Sequence, residues 1–195
     1  EMRDIEKSFH GVKALNGLSM DLYPGEVHCL VGENGAGKST LIKVLTGAHL
    51  PNRGTIIVDG VEYPHMTAAL SKKLGIGVVY QENLLVPWMS VVENIFVGQE
   101  MSRLGVMRHR DEVRRAQELL EKLGLKLKLN QMVANISVSD QQFLKIIKAI
   151  SMEPRILIMD EPTSMFNATD AGKVLDLVRR ISKQGVSVIY ISHFL

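Results

Sequence analysis

The residues that could do chemistry cluster first in GENGAGKST, positions 32–40 of a 195-residue chain. An apolar run, EVHCLVG, leads into this stretch, and a helical pattern, KSTLIKVLTG, leaves it. Gly32, Gly35 and Gly37 let the backbone bend so that successive amides point inward at an anion, helped by the positive end of the helix that starts there. GxxxxGK[ST] between a strand and a helix is the pattern of a phosphate-binding loop. On that reading Gly32, Asn34, Gly35, Ala36, Gly37, Lys38, Ser39 and Thr40 surround the phosphates of a nucleotide such as ATP. Lys38 would reach the β and γ phosphates, and the Ser39 hydroxyl would hold Mg2+, a hard ion that prefers oxygen. The competing reading, a glycine-rich turn with no ligand, lacks a reason for the lysine and serine at these positions.

A second candidate lies in ILIMDEP, residues 156–162. An apolar strand ending in two acids puts Asp160 at the carboxyl edge of a sheet, where open α/β sheets bind ligands. Asp160 would reach Mg2+ through water. Glu161 would orient or deprotonate an attacking water, a role worth roughly 10² to 10⁴ in rate. Alone, such a pair is usually a surface feature of a strand end; beside a phosphate loop the catalytic reading is stronger. His193, after SVIYIS, and Gln81, after IGVVY, also end apolar runs. Either residue alone at a strand end is more often structural.

These residues need a sheet with crossover helices to bring them together, and the sequence has that rhythm. EVHCLVG, RILIMD and SVIYIS read as buried strands of an α/β fold, preceded by Pro24 and Gly25, by Pro154 and by Gly185. In TIIVDGVEY, Asp59 and Gly60 between β-formers mark a tight hairpin, so an antiparallel piece is attached. From Gln81 to Pro154 the spacing becomes helical in SVVENIFVG, RDEVRRAQELLEKLG and SDQQFLKIIKAI, with Gly98 and Gly124 as stops. The basic stretch RLGVMRHRDEVRR reads as a solvated helix face.

Composition sets outer limits. Hydrophobic residues make up 46% of the chain, enough to bury a core, and the net charge of +2 gives no bulk attraction to nucleic acid. The single cysteine, Cys29, excludes an internal disulfide, and its apolar run predicts a buried thiol. No stretch approaches the ~18 apolar residues of a membrane helix, and the charged start EMRDIEKSFH is no signal peptide.

Taken together, GENGAGKST, Gln81, ISVSDQQ, ILIMDEP and ISH stand in the order and approximate spacing of the nucleotide-binding domain of ABC transporters, and the resemblance covers essentially the whole chain. GENGAGKSTLIKVLTG, VVENIFVG, VSDQQFLKIIKAI and YISHFL resemble more closely the first ATPase half of bacterial ribose/galactose-type monosaccharide importers. The resemblance implies a P-loop NTPase fold of ABC-ATPase type. It comprises an ATP-binding core over 1–82 and 155–195, with a mostly parallel sheet and an antiparallel β appendage, and a helical subdomain over 83–154. It implies that Gln81 joins Mg2+ and the attacking water to the permease, that His193 lies near the γ phosphate, and that Phe9 stacks on adenine; Phe9 as plain core is the alternative. It further implies a second cassette, fused or as another copy, that closes head to tail around two ATPs, with permease subunits and, indirectly, a periplasmic sugar-binding protein as partners. Such a subunit sits at the cytoplasmic face of the bacterial inner membrane, and members continue past the position of His193 with further strands and helices.

The departures lie in ISVSD. Ser137 keeps the signature serine, but Val138 and Ser139 occupy the two glycine positions and Asp140 the glutamine position. The family acts in trans here, so Ser137, Ser139 and Asp140 would face the partner's ATP. A left-handed backbone at Ser139 would cost about 1 to 2 kcal/mol. An Asp140 charge at roughly 7 Å from a phosphate would add about 2 kcal/mol of repulsion at an effective dielectric of 20. The same residues also read as a helix cap, with Ser139 at the N-cap and Gln142 as its capping-box partner. Asn167 in SMFN likewise replaces the family's acid. Three functions follow: an ATPase powering sugar import, a non-hydrolysing regulatory half, or a soluble ABC ATPase of DNA repair or translation. Intact Glu161 and His193 weigh against the second, and the short interval from Gln81 to Ser137 leaves no room for the long insertion of the third. No nucleic-acid partner is expected.

Overall fold

The computed structural model describes all residues except 34, 83, 100, 101, 104, 105, 108, 165, 194 and 195, and describes 102, 103, 106 and 107 by backbone alone. Two four-stranded sheets carry the architecture. One is antiparallel, in the order β2 (Val12–Met20), β1 (Met2–Phe9), β4 (Arg53–Val58), β5 (Val61–Tyr63). The other is parallel, in the order β3 (Val27–Val31), β10 (Ser187–Ser192), β9 (Ile156–Asp160), β6 (Ile76–Val79). A short ribbon pairs β7 (Ser102–Arg103) with β8 (Val106–Met107).

The two inner strands of the parallel sheet are buried on both faces, and residue alternation shows how. In β9 and β10, Leu157, Met159, Val188 and Tyr190 point into one apolar cluster, while Ile158, Ile189 and Ile191 point into the other. The first cluster is closed by α3 (Val91–Phe96), α4 (His109–Leu123), α5 (Val138–Ser151) and α6 (Ala168–Lys183). The second is closed by α1 (Lys38–Leu45) and by the inner face of the antiparallel sheet, through Met2, Ile5, Leu15 and Ile56. A further helix, α2 (Ala68–Lys73), leads into β6, capped at its start by Thr67, whose hydroxyl accepts from the Leu70 amide.

The Asp59–Gly60 hairpin forms as the sequence predicts: both residues have positive φ, at 53° and 76°, and Val58 pairs with Val61 across the turn. Arg155 then clamps this hairpin with a forked pair to Asp59, at 2.6 and 3.0 Å, linking the start of β9 to the antiparallel sheet. The β1–β2 hairpin turns through His10 and Gly11, again both at positive φ. Helical periodicity between Gln81 and Pro154 is realised as α3, α4 and α5, and α3 opens with a full capping box between Ser90 and Glu93.

Cys29 corrects the sequence reading. It is exposed: β3, an outer strand of the parallel sheet, alternates exposed and half-buried residues along its length, whereas β6 at the other edge is mostly buried. An apolar run states that a strand forms; only distant elements state how well its faces are covered. Among the described residues, no helix is long and apolar enough to cross a membrane.

Candidate functional site

The phosphate loop owes its shape to two left-handed glycines. Gly35 and Gly37 have φ of 87° and 90°, and Gly37 is the N-cap of α1. A Cβ on Gly37 would meet the Ala14 carbonyl oxygen at 2.4 Å, so only glycine lets the loop lie against β2. Lys38 folds back on the loop, its ammonium donating to the carbonyl oxygens of Gly32 and Glu33. The carbonyls stand in for the phosphate oxygens that such a lysine serves.

Above the loop opens a cleft of about 230 Å³. Gly35, Ala36, Gly37, Lys38, Ser39 and Thr40 line one wall, and Gln81, Asp160 and Glu161 the other. The sheet explains the convergence: Gln81 follows β6, Asp160 ends β9, and His193 follows β10, three neighbouring parallel strands whose carboxyl ends share one edge. His193 Nδ1 stands 2.9 Å from Glu161 Oε1, at ion-pair distance rather than in hydrogen-bond alignment. Gln81 Nε2 donates to Glu161 Oε2 at 3.5 Å. Burial, and next the charge of Glu161, push the Asp160 carboxyl above the usual range, while Lys38 and Lys43 pull it down. A cation at this edge would reverse that balance, and the donors present, the Ser39 hydroxyl, the Gln81 amide and the Asp160 carboxylate, are the oxygen set that suits Mg2+.

Glu161 has φ of 49°, a left-handed conformation rare for a residue with a side chain, and its amide donates to the Ile191 carbonyl at 3.1 Å. Strain of about 1 to 3 kcal/mol is typical of residues held for function, and nothing in the sequence signals it. Behind Glu161 a space of about 10 Å³, near the size of one water, is bordered by Gln81, Gln142, Asp160 and Glu161. Gln142, offered by the sequence only as a capping partner, thus belongs to the surroundings of the acid pair.

The remaining candidates stand as follows. Phe9 does not line the cleft; its ring packs edge-on against His49, with the Lys7 ammonium 5.1 Å above it. Asn34 lies outside the described residues. In the ISVSD segment the N-cap of α5 is Ser137, not Ser139: the Ser137 hydroxyl accepts from the Asp140 amide at 3.0 Å. Ser139 sits two residues further in, within the first turn, with ordinary helical backbone, so the left-handed cost does not arise. Its hydroxyl donates instead to Asp170 at 2.8 Å, in the first turn of α6, where Asp170 also pairs with Lys173. Ser137, Ser139 and Asp140 are absent from the lining of the phosphate cleft.

The family model described as ABC transporter matches residues 15–164, from β2 through the acid pair. The chain belongs to the ABC transporter family. A ribose import ATP-binding protein of Rubrobacter xylanophilus is 46% identical over 195 residues, covering 100% of this chain and 39% of its own length. The D-allose import ATP-binding protein of Escherichia coli K12 is 39% identical, covering 98% of this chain and 38% of its own. The chain therefore spans about two fifths of the curated relatives it matches. Among solved structures, an ATP-binding cassette of an ABC transporter in its ADP conformation superposes with a TM-score of 0.88 at 26% identity, covering 100% of this chain and 80% of that one. The α/β architecture of this ABC family member is thus that of the P-loop cassettes.

Proposed function

We propose that this chain is an ATP-binding and ATP-hydrolysing cassette that powers import of a monosaccharide of the ribose, galactose or xylose kind through a membrane permease. The observation that carries hydrolysis is the placement of Gln81, Asp160 and Glu161 across one cleft from the phosphate loop, with His193 against Glu161. Lys38 would exchange its carbonyl partners for phosphate oxygens on binding. Glu161, fixed by its strained backbone and flanked by His193 and Gln81, orients the attacking water in line with the γ phosphate and accepts its proton. Ser39 and Asp160 would hold Mg2+, which when bound supplies charge stabilisation of the phosphates.

Sugar as cargo is supported by the ribose and D-allose import names of the relatives. Exposed apolar side chains past Gln81 support a permease contact: Leu84 is 58%, Trp88 79% and Met132 53% exposed. The division into a nucleotide core over 1–82 and 155–195 and a helical part over 83–154 is the organisation we favour, although one apolar cluster joins α3, α4 and α5 to β9 and α6. A second cassette, fused or separate, would bring its own phosphate loop to Ser137, Ser139 and Asp140, and the subunit would lie against the inner membrane face. A periplasmic sugar-binding protein would deliver the cargo. The test is phosphate release by the intact polypeptide reconstituted with its permease in vesicles, with and without loaded binding protein. Stimulation by a monosaccharide is expected, and a rate indifferent to every sugar would overturn the transport reading.

A further inference from the structure

Lys145 is a buried lysine, 8% exposed, on the helix that carries the ISVSD segment at its start. Burial holds its ammonium below the ordinary lysine range, so the position is costly for a cation unless a contact compensates. That contact crosses from α5 to the parallel sheet: Nζ donates to the backbone carbonyl of Gln81 at 3.2 Å. Gln142, Lys145 and Ile146 stand at i, i+3 and i+4, on one helix face, and Gln142 and Ile146 border the small space beside Glu161. The Gln81 side chain in turn reaches Glu161.

The other end of this loop is also held. Asn94 in α3, fully buried, accepts from the Val86 amide at 2.8 Å and donates to the carbonyls of Val86, Met89 and Ser90. Val86 is thus held by Asn94, and Gln81, next to the acid pair, by Lys145, while Leu84 is exposed.

We propose that Lys145 is a positioning residue that ties the signature-bearing helix to the Gln81 loop, so that displacement of either one moves the amide facing Glu161. An apolar side chain would fill the site at lower desolvation cost, and the tether accounts for a cation there. Its link to turnover rests on the hydrolysis reading above; the tether itself does not.

The test compares wild type with Lys145→Met and Lys145→Arg in the full polypeptide assembled with its permease. Amide hydrogen exchange of the peptide spanning residues 80–86 reads the tether without any turnover, and steady-state phosphate release reads its consequence. Lys145→Met should speed exchange of that peptide by fivefold or more and lower kcat by about tenfold, the scale of a lost charge-assisted hydrogen bond. KM for ATP should stay within about twofold, since the phosphate loop is untouched, and Lys145→Arg should recover most of both effects. Should methionine prevent folding, Lys145→Gln, too short to reach the carbonyl, gives the same reading. Unchanged exchange in the folded variant overturns the tether, as does a kcat loss that merely tracks loss of folded protein. Faster exchange in Lys145→Met, with a rate unaffected by Glu161→Gln, would remove the hydrolysis reading and leave the tether standing.

Discussion

Alanine at Gly35 and at Gly37 forms a matched pair, because both glycines are left-handed and lie two residues apart in one loop. At Gly35 an added Cβ meets nothing within 4 Å; at Gly37 it meets the Ala14 carbonyl oxygen at 2.4 Å and a Leu15 methyl at 3.0 Å. Gly35→Ala therefore carries only the left-handed cost of about 1 to 2 kcal/mol, offset by about 0.4 to 1 kcal/mol from a stiffer unfolded chain. Gly37→Ala adds an overlap that no rotamer relieves, since β2 must retreat by about 1 Å, which places it with overpacked sites at about 1 to 3 kcal/mol more. At about 2 to 4 °C per kcal/mol for a chain of this size, Gly35→Ala should lower Tm by about 6 °C at most, and Gly37→Ala should lower it by about 2 to 12 °C more than Gly35→Ala does. Thermal melting without nucleotide, followed by circular dichroism, is the assay. Equal Tm losses in the two variants would refute the claim that contact with β2, rather than backbone sign alone, demands glycine at Gly37.

Asn94→Ala should destabilise by about 2 to 4 kcal/mol, because it strands an amide and carbonyls that Asn94 serves from a fully buried position, and denaturant titration should show the loss as a lower midpoint. Ser139→Ala and Asp170→Ala should each cost about 1 kcal/mol, and their double mutant less than the sum, because they remove one shared hydrogen bond; strict additivity in a double-mutant cycle would show that the two do not interact. The Glu93 carboxyl is held below the usual range by hydrogen bonds from the Ser90 hydroxyl and amide. Its capping contribution is present above the unfolded glutamate pKa of about 4.3 and is lost as pH falls through the depressed native value. The Tm gap between wild type and Glu93→Gln should accordingly narrow below about pH 4; a gap independent of pH would contradict this assignment.

Much of the chemistry is legible in the sequence because it is local. The phosphate loop, the acid pair and the helix starts each depend on a few adjacent residues, and Asp59–Gly60 states its turn outright. What escapes depends on neighbours distant in sequence. Cys29 reads as core from its apolar run, yet it is exposed, because what covers a strand's faces is set by distant elements: β3 and β6 are both outer strands and only β6 is well covered. Ser137 and Ser139 are both competent caps, and the choice between them is made where α5 meets α6, at Asp170. Lys145 and Asn94 look like solvated polar positions within their helices; burial against the Gln81 loop is a property of tertiary packing. The edge contact of Phe9 with His49 is likewise set by the β1–β2 hairpin and the segment after α1, which no local pattern states. The strained backbone of Glu161 has no sequence signature, since glutamate gives no hint of a left-handed conformation.

These same considerations change the meaning of the odd signature. Ser139 adopts helical backbone and finds a partner on its own chain, so the segment is a well-formed helix start rather than a damaged glycine turn. Asp140 remains as the acidic residue of that first turn.

The central claim is that Glu161, held by its backbone and flanked by Gln81 and His193, is the base of a hydrolysing site. Steady-state phosphate release by the full polypeptide with its permease, wild type against Glu161→Gln, tests it most directly. A fall of roughly 10² or more with ATP binding retained is the expected result. A rate unchanged by the substitution would contradict the account and place hydrolysis outside this cleft.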